Sequence, residues 1–268
     1  MSYMDKFKLY GKTALVCGGL GLIGKEISIA LAEAGAKVLI LDIDKKRFTR
    51  CRDFYYGLDI EFVDFDVRSI NSYNKKIDNI KKDYGPIHIL VNTAYPKTKD
   101  WGTEFKKISA KSWRKNVEMQ LNSTCLLTKE VAESMIKNKV DMINNKIKGS
   151  IINIGSTYGV VGPDFRIYKD TNLTCPAAYS AIKGGIVNFT RYAASYYGKY
   201  GIRVNCLCPG GISDKQPNNF IYEYIRRTPL GRMGKPDEIA AATLFLSSDA
   251  SSYMTGVIMM VDGGWTCI

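Results

Sequence analysis

Thr13-Ala-Leu-Val-Cys17, followed at once by Gly18-Gly-Leu-Gly21-Leu-Ile-Gly24, is the stretch from which the fold of this chain can be read. The first five residues are apolar and β-prone, the glycines turn the chain, and Lys25 to Ala34 then places apolar residues at helical spacing. Strand, glycine turn and helix in that order make the first unit of a dinucleotide-binding sheet. Gly18, Gly21 and Gly24, with Leu22 and Ile23 between them, let backbone amides approach a pyrophosphate at the helix start, where the helix dipole favours negative charge. A second strand, Lys37 to Leu41, ends in Asp42, 18 residues beyond Gly24. A carboxylate there accepts hydrogen bonds from the adenosine ribose and repels a 2′-phosphate, which favours NAD over NADP. Lys45, Lys46 and Arg47 keep NADP open, and a plainer reading makes Asp42 the cap of a helix from Lys45 to Tyr55.

Working outward, strand-like apolar runs recur at 13–17, 37–41, 60–64, 87–91, 150–154, 203–207 and 257–261, with helical periodicity between them. This alternation predicts an α/β fold, a doubly wound parallel sheet of about seven strands with helices on both faces. The runs are continuous, as strands covered on both sides require. Ligands bind such sheets beyond the carboxyl ends of the strands, and Asp66, Asn92, Ser156 and Pro209-Gly210 follow the third to sixth runs. Each has a plainer reading: Asp66 as cap of a helix from Ser69, Asn92-Thr-Ala and Pro209-Gly-Gly as turns, Ser156 as an ordinary residue after a strand. With 268 residues and no linker or low-complexity tract, one domain spanning 1–268 is expected.

The net charge of +12 raises the question of a nucleic-acid partner. Lysines and arginines are spread over nearly every predicted helix with no sustained basic block, so a solvated surface or an anionic small substrate explains them better. No apolar run approaches the ~18 residues of a membrane span, and Met1 to Tyr10 lacks a signal core, which predicts a soluble, cytoplasmic protein. Seven scattered cysteines suit reduced thiols. Cys206-Leu-Cys208 lacks zinc-site spacing and His88 is the one histidine, so no metal centre is expected.

Tyr179 and Lys183 stand four residues apart in Tyr-Ser-Ala-Ile-Lys, just over one helical turn, so phenol and ammonium share a face. A fixed positive charge beside the phenol favours the phenolate and lowers its pKa, which equips Tyr179 to move a proton. The motif alone is common in amphipathic helices; its position after the glycine turn, the acidic strand end and Ser156 makes it a candidate active site.

With these residues in place, the chain from about Leu9 to Gly264 resembles the short-chain dehydrogenase/reductase family. The matches are the glycine turn, Asp66-Val67, Asn92-Thr-Ala94, Ser156, Tyr179-x-x-x-Lys183, Arg203-Val-Asn205 with Pro209-Gly210, and Thr255-Gly256 with Val261-Asp-Gly-Gly264. The resemblance implies a Rossmann fold, an NAD(P) cofactor, hydride transfer at a carbon bearing an alcohol or carbonyl, and a homodimer or homotetramer. It implies Tyr179 as acid/base, Lys183 on the nicotinamide ribose and Ser156 on the substrate oxygen. Asp66 and Val67 would contact adenine, Asn92 and Ala94 would line the cofactor near its ribose, and Pro209, Gly210 and Ile212 would cover the nicotinamide end.

Several positions depart from the family pattern. Cys17 replaces the usual threonine, and Leu22 the middle glycine before Ile23; Thr93 and Tyr95 replace the second asparagine and the glycine of the common Asn-Asn-Ala-Gly segment. Gln120 in Glu118-Met-Gln-Leu-Asn122 aligns with the catalytic asparagine that organises a proton-relay water at a helix kink. Ser156 and Tyr179 are 23 residues apart, about ten more than usual in the family, which predicts an extra loop of about Val161 to Pro176 bordering the pocket. Asn92-Thr-Ala-Tyr-Pro-Lys97, Gly155-Ser-Thr-Tyr-Gly-Val-Val161, Tyr168-x-x-Thr-Asn172 and Pro209-Gly-Gly-Ile-x-Asp-x-Gln-Pro217 resemble oxidoreductases of the flagellin modification protein A group. That implies a sugar phosphate, amino sugar or nucleotide-linked sugar as substrate. The competing readings are an NADPH-dependent alcohol or 3-oxoacyl reductase, and a catalytically silent NAD-binding protein, which Gln120 makes conceivable.

Overall fold

The computed structural model describes residues 2–138 and 148–268. Seven strands form one parallel sheet: β1 (Thr13–Cys17), β2 (Lys37–Asp42), β3 (Ile60–Asp64), β4 (Ile89–Asn92), β5 (Gly149–Ile154), β6 (Ile202–Pro209) and β7 (Ile258–Val261). Their order, β3-β2-β1-β4-β5-β6-β7, reverses direction between β1 and β4, and all pairs are parallel. This is the doubly wound arrangement predicted from the alternation of strand and helix, and it opens a crevice where the order reverses.

Alternate strand residues serve opposite faces. Leu15, Cys17, Leu39, Leu41, Leu90, Ile151 and Val204 pack under α3 (Tyr73–Tyr84), α5 (Ser123–Ile136) and α6 (Ala177–Tyr197). Ala14, Val16, Val38, Ile40, Ile89, Val91 and Ile152 pack under α1 (Leu22–Glu33) and α8 (Pro236–Ser247). All five residues of β1 are buried, which is why its sequence shows no polar alternation. Among the described residues no helix is long and apolar enough to cross a membrane.

Three helix boundaries differ from the periodicity. The first helix begins at Leu22, inside the glycine segment, because Gly21 already has the extended conformation of a helix cap. The helix expected over 45–55 is split into α2 (Lys45–Arg50) and a tight turn over Arg52–Tyr55. The helix expected from Ser69 starts as a turn over Ile70–Ser72 before α3. Among the described residues the remaining α-helices are α4 (Ala110–Val117) and α7 (Asn218–Ile225), and between α4 and α5 a π-turn runs over Glu118–Asn122.

A chain of buried amides and hydroxyls ties the centre of the sheet to the helices beneath it. Asn92 Nδ2 donates to Thr128 Oγ1 at 3.1 Å and to Asn153 Oδ1 at 2.9 Å, and Asn153 Nδ2 donates to Thr190 Oγ1 at 3.1 Å. All four residues are buried, so each bond is made in a low-dielectric interior where leaving it unmade is costly.

Candidate active site

A cleft of about 950 Å³ lies at the carboxyl ends of the strands. Its floor is the glycine turn. Gly18 has φ +78°, and a Cβ there would stand 2.6 Å from Ala94 Cα; a Cβ on Gly24 would stand 2.2 Å from the Gly18 carbonyl oxygen. Only glycine at both positions lets strand end, turn and helix start close on one another. Thr93, in place of the usual asparagine, fastens this closure by donating from Oγ1 to the Cys17 and Gly18 carbonyls at 2.8 and 3.1 Å. Gly21, Leu22, Ile23 and Ala94 also line the cleft, and the first-turn amides of α1 have no partner within the helix. This cradle fits a pyrophosphate.

Asp42 lines the cleft beside Ile43 and Arg47. It does not cap α2; Asp44 does, accepting from Arg47 N at 2.8 Å. Asp42 instead accepts from the amides of Leu20 at 3.2 Å and Ile43 at 2.8 Å, which fix its carboxylate at the strand end. Asp66 and Val67 line the same wall with Arg68. Arg68 grips Asp66 at 2.8 Å and holds its carboxyl below the usual carboxylate range, so Asp66 shapes the turn after β3 and does not cap a helix. Pro209, Gly210 and Ile212 close the far end, where a Cβ on Gly210 would stand 2.8 Å from Asp262 Cα.

Asn92 is placed differently from the expectation. It is not among the lining residues, because its side chain is spent on the buried network beneath the sheet; Thr93, Ala94, Tyr95 and Pro96 present that segment to the cleft.

Tyr179 and Lys183 line the cleft from the first turns of α6, with the Lys183 Nζ 5.6 Å from the centroid of the Tyr179 ring. Ser156 follows β5, is buried, and its Oγ accepts from Tyr158 N at 3.2 Å. The charge relation runs against the expectation for the pair. Burial pushes the Tyr179 phenol up to about 12, partly offset by the nearby Ser156 hydroxyl, which favours the phenolate. Lys183 is brought down to about 8, also by burial, and its Nζ donates to the Ile154 carbonyl at 2.7 Å. Desolvation therefore outweighs the pairing, and it shifts both groups toward their neutral forms.

Gln120 sits in the π-turn, 2 % exposed and off the cleft surface, which Met119 lines beside it. Its Nε2 donates to the Pro96 carbonyl at 2.8 Å, and its Oε1 is buried with no protein partner. The π-turn accounts for the helix kink expected here; the side chain is directed to the loop after β4.

The expected loop between Ser156 and Tyr179 is present, but no residue of 161–176 lines the cleft. It straps α7 to the body of the protein. Ile167 is fully buried against Phe220, Tyr224, Met233 and Trp265, and Asp164 meets Arg227 at 2.9 Å. Sequence reading also passed over Tyr95 and Trp101 as site residues. Tyr95 stands edge-on to Tyr179 at 5.8 Å, and Trp101 Nε1 donates to the Tyr95 hydroxyl at 2.7 Å. The aromatic residue in a position usually held by glycine was the signal available.

A family model described as enoyl-(acyl carrier protein) reductase matches residues 21–266. The chain belongs to the short-chain dehydrogenase/reductase family. It is accordingly an NAD(P)-dependent oxidoreductase. A 3-oxoacyl-(acyl-carrier-protein) reductase of Chlamydia trachomatis is 34% identical over 96% of this chain and 98% of its own. The post-translational flagellin modification protein A of Campylobacter coli is 29% identical over 96% of this chain and 99% of its own. Among solved structures, a gluconate 5-dehydrogenase from Burkholderia cenocepacia in complex with NADP and tartrate is 29% identical, covers 100% of both chains and superposes with a TM-score of 0.85.

Proposed function

We propose that this short-chain dehydrogenase/reductase transfers a hydride between NAD(H) and a hydroxyl or keto carbon of a sugar derivative in the biosynthesis of bacterial flagellin or surface glycans, working as a homo-oligomer. The observation that carries the reaction is the meeting of Tyr179, Ser156 and Lys183 beside a glycine-floored cleft. The sugar rests on the four segments resembling flagellin modification protein A and on the relatives of that name and of gluconate 5-dehydrogenase.

The nicotinamide, when bound, supplies or accepts the hydride. Gly18 to Gly24 hold the pyrophosphate and Asp42 the adenosine ribose, while Pro209, Gly210 and Ile212 shield the nicotinamide end. Tyr179 moves the proton: as phenolate it takes the hydroxyl proton of an alcohol, and as phenol it returns one to a carbonyl oxygen. Ser156 holds that same oxygen by a hydrogen bond. Lys183, anchored on the Ile154 carbonyl, keeps two further N–H groups for the ribose and supplies positive charge beside the phenol. Gln120 stands where the family's relay asparagine stands, and its unpartnered Oε1 offers an acceptor for a water.

Two measurements test this. In a screen of sugar phosphates, amino sugars, nucleotide sugars, alcohols and ketones followed at the nicotinamide absorbance, Tyr179→Phe loses at least ~100-fold in turnover while cofactor affinity holds; full activity in the variant overturns the assignment of Tyr179, and a wild type that binds NADH but turns over nothing favours the silent reading. In a cofactor titration NADH binds at least ~10-fold more tightly than NADPH. The opposite order returns the chain to the NADPH-dependent alternative, which Arg47 at the cleft beside Asp42 supports.

A further inference from the structure

Tyr95 introduces an aromatic ring where the family pattern carries glycine, immediately beside the group that moves the proton. Its ring lies 5.8 Å from that of Tyr179 at 84°, and Trp101 completes the corner at 5.8 Å from Tyr95 and 6.4 Å from Tyr179. Tyr95 lines the cleft and is 42% exposed as a residue, with the Lys183 and Lys97 ammonium groups 5.9 and 6.0 Å from its ring centroid.

The wall is held from behind. Trp101 Nε1 fixes the Tyr95 hydroxyl, and Gln120 Nε2 fixes the Pro96 carbonyl one residue on. Thr98 N donates to Asn116 Oδ1 at 3.1 Å, and Ser112 Oγ donates to Asp100 Oδ1 at 2.8 Å. A ring fixed in this way loses little freedom when a ligand lies on it.

We infer that Tyr95 is a specificity-determining residue whose ring receives the C–H face of a polyhydroxylated substrate and turns one of its hydroxyl-bearing carbons toward Tyr179. An aromatic face carries negative charge density, and the C–H bonds of a carbon bearing oxygen are polarised toward it. Such a substrate presents one apolar face and a hydroxyl rim, which suits a single fixed ring beside a polar reacting group. A simple secondary alcohol has no extended face for the ring to recognise. The inference rests on the sugar reading above and names the residue that enforces it.

The test compares wild type with Tyr95→Phe, Tyr95→Leu and Tyr95→Gly, using the best sugar derivative from the screen and a small acyclic secondary alcohol with a single hydroxyl, such as 2-butanol. Fluorescence titration of NADH serves as the binding control, which separates an effect on the substrate from damage to the cofactor site that Tyr95 also borders. Tyr95→Gly and Tyr95→Leu raise KM for the sugar about tenfold, with kcat within about threefold, and leave KM for the alcohol and the NADH affinity unmoved. Tyr95→Phe keeps the ring and stays within about threefold of wild type. An unchanged sugar-to-alcohol KM ratio in both Tyr95→Gly and Tyr95→Leu overturns the inference alone, as does Tyr95→Phe falling as far as Tyr95→Gly. A wild type active on simple monohydroxy alcohols but on no sugar derivative overturns both the inference and the sugar reading.

Discussion

Lys183 enters the interior as a base that the fold holds near neutrality, and this has a measurable thermodynamic sign. Its ordinary value is 10.5, and burial lowers it to about 8 in the folded chain. Between those values the unfolded chain binds a proton that the folded chain does not, so this group's contribution to stability rises with pH across about 8 to 10.5 and is least favourable below 8. Lys183→Met is therefore expected to raise the unfolding free energy at pH 7 relative to wild type, by an amount on the order of 3 kcal/mol before the lost bond to Ile154 is subtracted. The advantage shrinks toward pH 10.5, and urea titrations of both proteins at the two pH values check it; a difference independent of pH sinks the account. The spacing of Tyr179 and Lys183 was legible in the sequence, as was the position of Ser156 at the end of β5. The order of their proton affinities was not, because it depends on how completely β5 and α6 exclude water from them, and no local pattern encodes that.

At the scale of elements, the strap between β5 and α6 shows where sequence reading falls short. Its extra length was plain from the distance between Ser156 and Tyr179, but its destination was not, since Ile167 packs against residues of α7 and the carboxyl terminus far along the chain. The strap supports the helix beyond the cleft without lining the cleft itself. Ile167→Ala removes a fully buried side chain and is expected to cost about 2 to 4 kcal/mol in a denaturant titration. A loss below about 1 kcal/mol would show that the strap opens independently of the core. The π-turn at Glu118–Asn122 is similarly half legible: Gln120 marked the position by homology of pattern, while its attachment to Pro96 required the loop after β4 to be seen in place.

Across the whole molecule, the alternation of apolar runs foretold both the seven parallel strands and the convergence of their ends. Asn92 shows what that pattern leaves out. A polar residue at a strand end reads as a ligand contact, yet here it turns inward to Thr128 and Asn153, and Asn153 continues to Thr190. Apolar layers tolerate small sliding because their attraction has no direction; hydrogen bonds with fixed donors and acceptors do not. This inward chain thus acts as a depth gauge. It sets the height of β4, which presents Thr93 and Ala94, and of β5, which presents Ser156, against the helix bearing Tyr179 and Lys183, so that the floor of the cleft and the proton-moving groups are aligned from underneath before any ligand arrives.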